Sequence, residues 1–200
     1  MTRKTLIALK TLVWIGCFTP LALLGWRGVS GTLGADPTAE IASLTGRAAL
    51  WLLAATLAVT PLRRLTPRFG WLIRFRRLLG LFVFFYATLH LFTYVALYAG
   101  FDPHAIADDI TKRRFIIAGV ATWLLLLPLA VTSTQWAIRK LGGKAWNRLH
   151  MLVYLAAITA LAHYWWKVKT GVLTPAPFTV VLVILLAARP VTAWLRKKKA

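Results

Sequence analysis

Three histidines stand inside long apolar runs: His90 in FVFFYATLHLFTYV, His150 in WNRLHMLVYL and His163 in AAITALAHYWW. An ionisable group is costly in hydrocarbon, so its presence there points to a ligand, a proton path or a hydrogen bond between helices. A neutral imidazole binds haem iron well, and two imidazoles facing each other across a bundle can fill both axial positions of one haem. A single buried imidazole also serves as a plain interhelical hydrogen-bonding group. The fourth histidine, His104, lies in FDPHAIADDITKRR among charged residues and reads as solvated.

Depth sorts the three. The apolar runs holding His90 and His163 enter from the same side, at about residues 78 and 149. With a rise of about 1.5 Å per residue, His90 lies roughly 18 Å along its helix and His163 roughly 21 Å along its own. The two are therefore expected to pair. His150 falls in the first turn of the fifth run, about 20 Å from His163, and would mark a second level near the other leaflet. No histidine matches it on the third run; the corresponding positions hold Arg76 and Arg77. On a straight helix His150 and His163 would also point about 140° apart.

Arginines add candidate anion contacts. Arg47, in SLTGRAALW, sits in the outer third of the second run, where a haem propionate would be a bidentate partner. Snorkelling to the interface is the plainer account. Arg76 and Arg77 are candidate propionate contacts at the inner level, or ordinary loop charges.

Positioning these residues requires membrane-spanning helices. Of 200 residues 59% are hydrophobic, well above the share of a soluble domain. A spanning helix needs about 20 mostly apolar residues, and six runs qualify: 11–26, 41–62, 78–98, 115–134, 149–166 and 178–195. The last is expected to break near Arg189 and Pro190. The basic start and first apolar run lack a small-x-small cleavage site, so the run is read as a retained span. The net charge of +20 sits in clusters between the runs, which excludes a solvated nucleic-acid-binding face and fits membrane orientation. Seventeen Lys and Arg fall on one set of alternate loops and six on the other, with all five acids on the second. The richer side is cytoplasmic by the positive-inside rule. The expected fold is an all-α integral membrane protein, a six-helix transmembrane bundle forming a single domain over 1–200, with both termini cytoplasmic. Trp26, Trp51, Trp136, Trp146, Trp165, Trp166 and Trp194 near the run ends read as an interfacial belt. Cys17 is the only cysteine, so an internal disulfide and C-x-x-C-H haem attachment are both excluded. No internal repeat is visible.

The stretches RRLLGLFVFFYATLHLFTYV (76–95) and WNRLHMLVYLAAITALAHYWW (146–166) together resemble the ferric-reductase-like transmembrane family, whose relatives include the membrane part of NADPH oxidases. The resemblance covers nearly the whole chain, most clearly 44–166, the expected haem-binding core. It implies that His90, His150 and His163 are haem ligands, holding one or two haem b groups. It also implies a bacterial inner-membrane protein that takes electrons from quinol or a cytosolic flavin reductase. These would pass to a periplasmic molybdenum-containing subunit that reduces methionine sulfoxide in oxidised proteins. FMN is described for members, although no flavin-binding motif is readable here. The departure from the oxidase pattern is the missing histidine at Arg76 or Arg77.

With no G-x-G-x-x-G and no extramembrane segment large enough for a protein substrate, the chain reads as an electron-transfer subunit without a complete substrate site. Its expected partners are membrane lipid, an electron donor and a catalytic subunit, and no nucleic acid. The rival readings are a small transporter or channel that relays protons or binds metal through its histidines, and a non-catalytic assembly factor.

Overall fold

The computed structural model describes residues 2–168 and 174–198. Lys169 and Lys199 of the loop charges lie outside the described residues, as do the side chains of 189–198, including Arg189, Trp194 and Arg196. Among the described residues there is no strand.

Capping residues open several helices. Helix α1 (Arg3–Val29) starts at Thr2, whose hydroxyl accepts the Thr5 N–H at 3.2 Å. Helix α2 (Pro37–Leu65) starts at Asp36, whose carboxylate accepts the Ala39 N–H at 2.9 Å, with proline in the first turn where its missing donor costs nothing. A 3₁₀ turn (Pro67–Leu72) leads into α3 (Ile73–Thr93), which runs on as a π-helical turn (Tyr94–Tyr98). The chain then reverses at Gly100 and Phe101, both at positive φ. The segment expected as an outer loop folds into α4 (Pro103–Lys112), capped by Asp102, with His104 exposed. Helices α5 (Arg114–Val131), α6 (Gln135–Leu141), α7 (Gly143–Leu149), α8 (Leu152–Lys167) and α9 (Ala176–Lys198) complete the described order.

Four stretches, 3–29, 37–65, 68–98 and 114–131, are long and apolar enough to cross a membrane. Helix α8 has 16 residues, roughly 24 Å, which is less than a hydrocarbon core of about 30 Å. The expected fifth run was continuous from 149; in the structure it is broken. Met151 N–H turns to Arg148 O at 3.1 Å and Tyr154 N–H to Met151 O at 3.0 Å, so three-residue bonds replace the four-residue ladder around His150. The straight-helix angle between His150 and His163 therefore does not apply. Conversely, α9 continues through 190, where a break was expected. Pro20, Pro61 and Pro128 also lie within helices, as membrane bundles tolerate.

Two helix pairs dominate the packing, α2 along α3 and α5 along α8, joined by α3 against α5. Helix α9 covers α2, and α1 lies against α2 and α3. Leu53, Leu57, Val83, Leu126, Ala156 and Leu182 form the shared core of these helices. A smaller cluster holds Cys17, Ala48, Phe82 and Tyr86, where the fully buried Tyr86 hydroxyl donates to Cys17 O at 2.6 Å. Polar bonds tie the helices across the core: Trp123 Nε1 to Thr88 Oγ1 at 3.0 Å, and Thr122 Oγ1 to Thr159 Oγ1 at 2.8 Å.

Candidate functional site

His90 on α3 and His163 on α8 meet between the two helix pairs. Their ring centres are 5.8 Å apart and their planes cross at 88°. His90 Nδ1 lies 2.9 Å from Ala42 O on α2, and His163 Nδ1 lies 2.7 Å from Phe115 O on α5. A carbonyl only accepts, so each Nδ1 carries the proton and donates it, leaving Nε2 as the lone-pair nitrogen. Metal-ligating histidines are oriented in this way by a backbone carbonyl or carboxylate. Thr45, buried beside His90 at 3.5 Å from Nδ1, returns its hydroxyl proton to Ile41 O at 2.8 Å.

The rings lie this close to the helices because each faces a glycine. A Cβ on Gly46 would stand 3.2 Å from the His90 ring, and one on Gly119 would stand 2.8 Å from His163 Nδ1. The second contact is closer than any real Cβ makes. Each histidine follows its carbonyl by 48 residues, and each glycine follows that carbonyl by four. Thus α2–α3 and α5–α8 repeat one device, a carbonyl and a glycine on the first helix holding an imidazole from the second. No repeat was visible in the sequence, because only these few positions carry it.

Both rings line one cavity of about 270 Å³. Its walls include Leu50, Leu53, Val83 and Leu126, and its lining also includes Arg47, Arg113 and Lys167. An apolar interior with cationic side chains at its edge suits a flat, greasy group carrying carboxylates. The ring spacing suits one iron. With metal–nitrogen bonds of about 2 Å on opposite sides, end-on imidazole centres fall on the order of 6 Å apart. The residues present therefore fit a bis-histidine haem.

The structure keeps His150 apart from this pair. It caps the end of α7, donates Nδ1–H to Trp146 O at 3.1 Å and stacks on the Trp146 indole with centres 3.7 Å apart. Its Nε2 is buried with no hydrogen-bond partner among the described residues. Arg76 lies within electrostatic reach of it. Arg77, the next residue, is exposed and lines a different cavity with Lys10 and Arg74. Arg47 stands at the main cavity as an exposed side chain. Trp146, expected in the interfacial belt, instead donates to Thr132 O at 2.8 Å and carries the His150 stack. Trp26, Trp136 and Trp166 are each more than half exposed near helix ends, as a belt requires, whereas Trp51 lies midway along α2, away from either end.

Sequence reasoning missed Gly46, Gly119, Arg113 and Lys167. The glycines are silent without their partners in space, and the two cations were counted only as loop charges. Arg113 is also engaged, with Nε 3.0 Å from Asp109, whose other oxygen accepts the Tyr94 hydroxyl at 3.0 Å.

A histidine pair between long apolar helices belongs to the class of multi-pass membrane bundles. The chain belongs to the family described as the ferric reductase like transmembrane component, which matches residues 45–161. That match contains His90 and His150 and stops two residues short of His163. Its relatives are more particular. The chain is 49% identical over 195 residues to the protein-methionine-sulfoxide reductase heme-binding subunit MsrQ of Xanthomonas axonopodis pv. citri (strain 306), covering 94% of this chain and 88% of that one. It is 48% identical to the MsrQ subunit of Xanthomonas oryzae pv. oryzae (strain MAFF 311018), covering 96% and 89%. To the subunit of the same name in Ralstonia nicotianae (strain ATCC BAA-1114 / GMI1000) it is 42% identical, covering 96% and 88%. No solved structure matches the chain.

Proposed function

We propose that this chain is a haem b subunit of the bacterial inner membrane, spanning it six times with both termini cytoplasmic. It carries electrons from the quinone pool or a cytosolic flavin reductase to MsrP, a periplasmic molybdenum enzyme that reduces methionine sulfoxide in oxidised proteins. The observation that carries this reading is the facing of His90 and His163, each braced at Nδ1 and 5.8 Å apart, in one cavity. The relatives named as heme-binding subunits of a protein-methionine-sulfoxide reductase support it.

When bound, haem supplies reversible one-electron chemistry at its iron. His90 and His163 would hold it at the outer level. Their Nδ1–H bonds to Ala42 O and Phe115 O fix the tautomer and raise the basicity of Nε2. Leu50, Leu53, Val83 and Leu126 keep water from the site, one of the means by which a protein sets a haem potential. Arg47, Arg113 and Lys167 would receive the propionates. At the inner level His150 offers a second ligand nitrogen, with Arg76 as the neighbouring cation. A guanidinium stays protonated and cannot complete the ligand pair.

The test uses membranes containing this protein and MsrP, with methionine sulfoxide as acceptor. Turnover should collapse in quinone-deficient membranes and recover when a quinone analogue is added. Undiminished turnover there with reduced soluble flavoprotein would select the cytosolic donor. Turnover in membranes lacking this chain would overturn the proposal. A reporter active only in the cytoplasm, fused after Ala200, should be active; activity of a periplasm-only reporter at that point would refute the orientation.

A further inference from the structure

A second cavity, of about 200 Å³, lies between the beginnings of α1 and α3. Lys10 and Trp14 contribute from α1, one turn apart. Arg74, Arg77, Leu78 and Leu81 contribute from one face of α3, at spacings of three, four and seven residues. Phe75, only 2% exposed, also lines it. Three cations thus converge on an apolar floor.

Nothing in the described protein neutralises them. All five acids of the chain lie at the other end of these helices and are engaged there: Glu40 with Arg27, Asp108 with Lys112, Asp109 with Arg113, Asp36 as the cap of α2 and Asp102 as the cap of α4. Among the described residues Lys10, Arg74 and Arg77 have no ion-pair partner. Like charges gathered at a low-dielectric wall repel unless an anion joins them. The surroundings say which anion. Helix α1 has one buried residue, Cys17, and on the side it shares with Lys10 it leaves Trp14 and Phe18 exposed at 45% and 42%, beside Leu81 of α3 at 38%. A ligand seated among the three cations would meet an apolar, lipid-facing helix wall directly beyond them.

We propose that this groove binds the phosphate head of an anionic phospholipid, with its acyl chains along Trp14, Phe18 and Leu81. The two guanidinium groups supply forked donors to phosphate oxygens, and Lys10 adds a point charge. Basic pockets between helices near a membrane surface bind anionic head groups on this principle. The lipid would also fill the seam between α1 and α3, which hold each other through few contacts beyond the aromatic cluster of Trp14, Phe18 and Phe82. The inference does not depend on the haem reading.

The test is native mass spectrometry of the full-length protein released from nanodiscs of phosphatidylcholine doped with phosphatidylglycerol. The wild type should retain phosphatidylglycerol at least tenfold more strongly than a Lys10→Gln/Arg74→Gln/Arg77→Gln variant. A control that loses equal charge on α6 and α7, which join α5 to α8, Arg139→Gln/Lys140→Gln/Lys144→Gln, should retain it like the wild type. Should the triple variant fold poorly by circular dichroism, single Arg74→Gln and Arg77→Lys variants should each weaken retention several-fold. Equal retention by wild type and groove variants would overturn the proposal. So would equal loss in the loop control, which would mean diffuse charge. Full displacement of the lipid by inorganic phosphate at millimolar concentration, or saturable FMN binding abolished by the groove variant, would show a phosphate site without lipid specificity and would equally overturn it.

Discussion

The two histidine levels are built differently. At the outer one, two imidazoles come from different helix pairs, and each is held by a carbonyl on one side and pressed by a glycine on the other. At the inner one, His150 stands alone where α7 gives way to α8, held by its own preceding turn and by an indole face. The outer nitrogens are positioned by tertiary packing, so their geometry is as rigid as the α2–α3 and α5–α8 contacts. The inner nitrogen is positioned by local backbone, and α3 brings only a cation, Arg76, within electrostatic reach of His150. One protein therefore offers a complete two-imidazole site and a half-built one. The difference teaches that a repeated helix-pair device, not histidine count, makes the site.

The largest expected effect breaks the outer pair. His90→Ala and His163→Ala should each remove the outer haem, seen as loss of its share of the Soret and α-band absorbance per folded protein, whereas His150→Ala should leave that share intact. Next comes the glycine comparison. Gly119→Ala, whose Cβ would sit 2.8 Å from His163, should cost most of the outer haem, while Gly46→Ala, at 3.2 Å, should retain it with a shifted potential in redox titration. Equal and negligible effects would remove the glycines from the account. Trp146→Phe keeps a ring for His150 but loses the bond to Thr132 O; a cost of about 0.6–1.7 kcal/mol in the bundle should appear as a lowered midpoint of thermal unfolding, with the outer haem unchanged. The smallest is Tyr86→Phe, which removes the hydroxyl bond to Cys17 O at the α1–α3 seam and should cost about 0.6 kcal/mol without touching either level.

Hydropathy alone made the helical membrane architecture legible, because hydrocarbon admits few other backbones. The depth of His90 and His163 was legible for a related reason: a constant rise per residue converts sequence position into height. What stayed hidden depends on direction around a helix and on backbone breaks. The stretch around His150 contains no proline or glycine to announce its change of ladder. Arg76 and Arg77 were interchangeable in sequence, yet Arg76 lies within electrostatic reach of His150 and Arg77 lines the groove with Lys10. Gly46 and Gly119 were invisible as a pair because their meaning lies in rings 44 residues further along the chain.

Low-temperature electron paramagnetic resonance of the oxidised protein tests the central claim most directly. Haem iron held between imidazole planes crossed as these are, at 88°, would have two nearly degenerate dπ orbitals and give a low-spin ferric signal of large anisotropy. The account predicts that this signal is present in the wild type and in His150→Ala, and absent from both His90→Ala and His163→Ala at equal folded yield. Persistence of the same signal in either of those two variants would contradict it.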